Sequence, residues 1–143
     1  MALILLFEDK KHIANMKVDK LNQLGHQVEW VQALSDVERF DVARKLLLEK
    51  NFDFLAMDIA LEDNFGGIHI YNKLARDYRE KWKHTLIWSM YTGPRIKEAK
   101  YGEFEFPIRI FSETAGIPTE NIFNSTSEQS FAALKKRILD LSS

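Results

Sequence analysis

The 143 residues carry 20 lysines and arginines against 21 aspartates and glutamates, a formal net charge of -1, with 45% hydrophobic and 29% charged residues. That balance describes a soluble globular protein long enough for one core without staples, and it lacks the basic face that nucleic-acid binding needs. With no cysteine, the chain has no disulfide framework, thiol nucleophile or cysteine metal site. It suits a reducing compartment, and a cytoplasmic setting is expected.

The amino terminus, Met1-Ala2-Leu3-Ile4-Leu5-Leu6-Phe7, is apolar but stops at Glu8-Asp9. It is too short to span a membrane and has neither the basic start nor the cleavage site of a signal peptide. It therefore reads as a buried strand over 3–7. Residues 10–24 read as a helix with Ile13, Met16, Leu21 and Leu24 on one stripe and Gly25 as its stop. A short strand is expected over 27–32. Ser35 and Glu38 form a capping box opening a helix through Val37, Phe40 and Leu47.

Residues 52–58 are mostly apolar with two aspartates, a pattern that suits a strand buried on both faces. An acidic, glycine-bearing turn follows, and helical periodicity resumes at Ile70, Leu74 and Tyr78. A fourth strand is expected at 85–89, a fifth at 122–123, and a last helix over 128–141 with Phe131, Leu134, Ile138 and Leu141 inward. Between strands four and five, the alternating Phe104, Phe106, Ile108 and Ile110 fit a strand, while Pro107 and Gly116 bracket a helix over 107–115. The helix is favoured, because a crossover is needed there. Repeated strand–helix alternation gives one doubly wound α/β domain spanning residues 1–143, with a parallel sheet and right-handed crossovers.

In such a sheet the first strand is central, and strands three and four flank the same crevice at their carboxyl ends, where ligands bind. Those ends carry Glu8, Asp9, Asp58 and Ser89. Three converging carboxylates repel one another unless a cation sits among them, and hard oxygen ligands suit Mg²⁺, or Mn²⁺ in its place. A hydroxyl beside them would hydrogen-bond a phosphoryl group, the arrangement of phosphoryl transfer. His12, His26, His69 and His84 fall at unrelated spacings and form no metal motif. Gly66-Gly67 lacks the spacing and lysine of a phosphate-cradling loop. Lys10 and Lys135-Lys136-Arg137 read as solvated charge, and Trp30 and Trp88 as core.

Taken together, Leu3-Ile4-Leu5-Leu6-Phe7-Glu8-Asp9, Leu24-Gly25-His26, Asp58-Ile59-Ala60-Leu61 with Gly66 eight positions on, and Trp88-Ser89-Met90 resemble the receiver domain of bacterial two-component response regulators. The resemblance spans nearly the whole chain. It implies a five-stranded sheet in the order 2-1-3-4-5, of the flavodoxin or CheY-like type. It implies phosphorylation of Asp58 by a histidine kinase or phosphotransfer protein. Mg²⁺ would be held by Glu8, Asp9, Asp58 and the Ala60 carbonyl, with Ser89 meeting the phosphoryl group. Output would pass through a protein partner, without direct contact to nucleic acid or membrane. Enzymatic activity would extend no further than Mg²⁺-dependent self-phosphorylation and dephosphorylation.

The chain departs from the family's pattern. Glu62 replaces the usual proline after the acceptor, and Met90 replaces a small residue. Asn124 or Ser125 stands where the family has a lysine, and Asn121 or Ile122 where it has an aromatic switch residue. Ser125 with Glu128 also reads as a capping box. The segment between strands four and five is longer than a receiver needs, and its 91–106 stretch is expected to lie over or beside the site. The departures leave two further readings beside the phosphorylatable receiver. One is a pseudo-receiver acting as a phosphorylation-independent protein-binding module. The other is a small hydrolase or phosphatase using Asp58 as nucleophile, which lacks a general acid.

Overall fold

A computed structural model describes residues 1–32, 36–59, 66–89 and 111–142. Five strands, β1 (Leu3–Phe7), β2 (Gln27–Val31), β3 (Phe52–Met57), β4 (Trp82–Ser89) and β5 (Ile122–Asn124), form one sheet in the order β2-β1-β3-β4-β5. All four pairings are parallel. This is the order and direction the resemblance implied. The helices are α1 (Lys11–Gln23), α2 (Asp36–Glu49), α3 (Gly66–Tyr78), a helical stretch α4 at 111–115, and α5 (Glu128–Ser142).

The two faces of the sheet are assigned by simple alternation along the strands. Leu5, Phe7, Leu55 and Met57 point into one core with Ala43 and Leu47 of α2, Ile70 and Leu74 of α3, and Phe111 of α4. Ile4, Leu6, Phe54 and Ala56 point into the other with Leu21 of α1 and Leu134 and Ile138 of α5. β1 and β3 are therefore apolar on both sides, which is why 3–7 and 52–57 read as continuous hydrophobic runs.

Most expected elements stand within a residue or two of their sequence positions. The helix favoured over 107–115 is helical at 111–115; its first four positions fall outside the described residues, as do Ser35, Glu62, Met90 and the 91–106 stretch. Gly25 ends α1 as expected, with φ +89°, and the His26 amide donates to the Leu21 carbonyl.

Four readings need correction. Strand β4 starts at Trp82, three residues before the expected Thr85, because the buried Trp82 indole donates to Thr85 Oγ1 at 2.9 Å and packs edge-on against Tyr71. The buried line of α1 is Ala14, Lys17 and Leu21, whereas Ile13, Met16 and Leu24 are only half-buried. In α2, Val37 is exposed, and Arg39, Ala43 and Leu47 face inward. The cap of α5 is Ser127, whose Oγ accepts from the Ser130 amide; Ser125 lies in the preceding turn.

Asn121 is a structural clamp hidden in this topology. It is buried at 3% exposure, and its Nδ2 donates to the Thr85 carbonyl at 3.0 Å. Its Oδ1 accepts from Arg137 Nε of α5 at 2.7 Å, so Arg137 is an anchor and only Lys135 and Lys136 remain as solvated charge. Asn121→Ala strands a buried carbonyl and a guanidinium together, and urea unfolding is expected to show a loss of about 2 kcal/mol.

Candidate functional site: an acidic cluster closed by a lysine

Parallel pairing sets Phe7 opposite Met57 and Met57 opposite Ile87. The residues that follow therefore emerge together at the carboxyl edge of the sheet. The Asp58 amide donates to the Phe7 carbonyl at 3.0 Å, extending the β1–β3 ladder one step into the site. One carboxylate oxygen each from Glu8, Asp9 and Asp58 lie within 4.8 Å of one another. Glu8 is 2% exposed, Asp58 8% and Ser89 0%. Ser89 Oγ donates to Asp58 Oδ1 at 2.7 Å.

The four residues singled out from the sequence are thus brought together; Ala60 lies outside the described residues. Among the described residues this trio is the cluster suited to a metal ion, and it contains no histidine. Three hard oxygen donors, two of them on buried residues, match the ligand chemistry of Mg²⁺ or Mn²⁺.

Glycine at position 67 shapes the approach to Asp58. The Gly67 amide donates to the Ile59 carbonyl at 3.0 Å. A Cβ placed on Gly67 would overlap the Asp58 carbonyl oxygen and come within 2.9 Å of the Ile59 carbonyl oxygen. Gly66, eight positions after Asp58, precedes this close contact by one residue. Gly67→Ala must shift the backbone beside Asp58, and a destabilisation of more than about 1 kcal/mol is expected in thermal or urea unfolding.

Sequence reasoning missed Lys17. Its side chain is fully buried, and its Nζ donates to Glu8 Oε1 at 2.7 Å and to the Trp88 carbonyl at 2.8 Å. The ammonium also lies 5.1 Å from the centre of the Trp88 ring. The signal was available: Lys17 falls three residues after Ala14 and four before Leu21, on the buried line of α1, where a lysine is rare unless paired. Trp30 is half-buried, packed against the α1–α5 core, and its indole N–H donates to the Glu8 carbonyl at 2.8 Å.

The fifth-strand end is occupied differently. Asn124 lies opposite Ser89 in the ladder, and its Oδ1 accepts from the Thr126 amide at 2.8 Å. The Ser125 amide donates to the Ser89 carbonyl at 3.0 Å. These bonds build the turn between β5 and α5.

No family model matches the chain, and no curated protein matches it either. Solved structures do. The chemotaxis protein CheY4 of Vibrio cholerae superposes with a TM-score of 0.66 at 17% identity, over 96% of this chain and 98% of that one. The fold is that of response-regulator receiver domains. A LuxR-family two-component response regulator from Aurantimonas sp. SI85-9A1 gives 0.68 at 17% identity, over 99% of this chain and 86% of that one. A complex of histidine kinase ThkA with response regulator TrrA gives 0.63 at 14% identity, over the full length of both chains. In this receiver fold the acid trio occupies the carboxyl edge at which open α/β sheets hold ligands.

Burial raises the Glu8 carboxyl from 4.5 to about 7, with Lys17 opposing the rise and Asp58 adding to it. An unfolded chain gives up this proton near 4.5, whereas the folded chain holds it to about 7. Between these limits the folded state binds more protons, so stability falls as pH rises and levels off above about 7. In urea unfolding without divalent cations, the parent-minus-Glu8→Gln difference in unfolding free energy is expected to decline from pH 4.5 to about 7 and then stay flat.

Proposed function

We propose that this receiver-fold chain accepts a phosphoryl group on Asp58 from a histidine kinase or phosphotransfer protein and passes the signal to a protein partner. The observation that carries this reading is Ser89 Oγ fixing Asp58 Oδ1 at 2.7 Å beside Glu8 and Asp9. A carboxylate held in one orientation next to further acids is equipped to act as a nucleophile once its charge is balanced.

In the transfer, a carboxylate oxygen of Asp58 forms a bond to phosphorus while the bond from phosphorus to the donor's imidazole nitrogen breaks. The electron pair leaves with that nitrogen. Glu8, Asp9 and Asp58, with the Ala60 carbonyl, would hold Mg²⁺, whose chemistry is to neutralise the transferring oxygens. Ser89 orients the acceptor before transfer and is placed to donate to the phosphoryl group afterwards. The solved ThkA–TrrA complex, in which a response regulator of similar fold meets a histidine kinase, supports the proposed class of donor. The chain is a signalling element in this reading, and a turnover enzyme only to the extent that it promotes its own acylphosphate chemistry.

A second reading, the phosphorylation-independent binding module, is favoured by one observation. Lys17 already supplies a buried cation to Glu8, so the cluster has partial charge balance of its own.

The two are separated by incubation with acetyl phosphate and Mg²⁺, read by intact mass. One phosphoryl adduct is expected on the parent chain and none on Asp58→Asn. Ser89→Ala is expected to slow adduct formation by roughly tenfold, the scale of losing one hydrogen bond to a charged group. A parent chain that stays unmodified at saturating donor would leave the binding module as the function.

A further inference from the structure

Lys17 does more than fill space on α1. Its ammonium is fully buried and touches two elements of the site at once: the Glu8 carboxylate after β1, at 2.7 Å, and the Trp88 carbonyl of β4, at 2.8 Å. The residue after Trp88 is Ser89, which holds Asp58. A closed path therefore runs from Asp58 through Ser89 and the Trp88 carbonyl to Lys17 and Glu8, and back across the carboxylate cluster. Burying a lysine is costly unless it is paired, and the pair chosen here is with one of the three acids suited to a divalent cation.

We propose that Lys17 is the resident counter-cation of the Glu8–Asp9–Asp58 cluster, an intramolecular competitor that sets how tightly the site takes a divalent cation. The inference rests on the metal-binding part of the reading above. With Lys17 in place the three acids attract a cation against one built-in positive charge. Its contact with Glu8 Oε1 also turns that oxygen toward α1. A divalent cation in the cluster meets repulsion from the ammonium, so its binding is weakened by the presence of Lys17. Removing the charge should tighten binding at least about tenfold, the scale of a monovalent–divalent repulsion at a few ångströms even with water-like screening. Lys17 is thus a positioning residue that tunes affinity through Glu8.

The test is calorimetric titration of the intact chain with Mg²⁺ and with Mn²⁺ at pH 8, for the parent, Lys17→Met and Lys17→Arg. Tighter binding by Lys17→Met, about tenfold or more, with Lys17→Arg near the parent, is the expected result. A purely structural lysine would give unchanged or weaker metal binding in Lys17→Met, and either outcome overturns the inference while leaving a metal-binding parent consistent with the proposed function. Binding seen in Lys17→Met alone supports it strongly. Absence of binding in every chain overturns it together with the metal-dependent reading.

Should Lys17→Met fail to fold, the parent suffices. The Lys17 ammonium is followed by nitrogen-15 NMR during Mg²⁺ titration. A shift or exchange broadening that saturates with the metal supports competition for Glu8. A resonance that does not respond overturns it.

Discussion

The β1–β3 pairing is the constraint on which the rest of the site depends. Phe7 faces Met57 in the parallel ladder, and the Asp58 amide then bonds the Phe7 carbonyl. That one extra rung puts Glu8, Asp9 and Asp58 on the same edge, although some fifty residues of chain separate them. Parallel strands send all their carboxyl ends one way, so β4 adds Ser89 and β5 adds Asn124 to the same edge. The two apolar cores make this arrangement rigid, since every central strand is clamped from both faces. A functional group at the end of a doubly buried strand is held by packing that has nothing to do with its chemistry.

Charge is the second organising fact. Three acids in a low-dielectric crevice raise one another's energy, and Lys17 together with backbone and hydroxyl donors relieves it. Glu8 takes the ammonium and the Lys10 amide, and Asp58 takes the Ser89 hydroxyl. Burial still outweighs attraction at Glu8, whose carboxyl is pushed up to about 7. A paired, buried ion is weak as a source of net stability but strong as a constraint on geometry, because neither partner can move without stranding the other. The Lys17–Glu8 pair accordingly ties α1 to the ends of β1 and β4.

The carboxyl end of β5 is put to a different use. Asn124 and Ser125 spend their described hydrogen bonds on the turn into α5 and on the Ser89 carbonyl. At the amino end of the strand, Asn121 and Arg137 fasten the chain to β4. The strand is only three residues long, and this polar clamp supplements its short ladder. Positive charge thus approaches the acid cluster from α1, whereas the resemblance would place a lysine at the end of the fifth strand.

The sequence by itself determined the strand–helix alternation, the sheet order through the resemblance, and the identity of Glu8, Asp9, Asp58 and Ser89 as one group. These follow from local rules: doubly buried strands read as apolar runs, and a carboxylate or hydroxyl just past such a run must stand at the sheet edge. Gly25 and the α5 stripe of Leu134 and Ile138 were legible for the same reason. Only the tertiary structure decided what Lys17, Gly67, Asn121 and Trp82 do. A lysine on an apolar stripe looks like an error until its acid is seen arriving from another strand. Gly67 matters because the carbonyls of Asp58 and Ile59, nine and eight residues earlier, lie against it, and Asn121 because a strand and a helix each bring it one partner. These are meetings between distant segments, and periodicity in one segment carries no information about what the other brings.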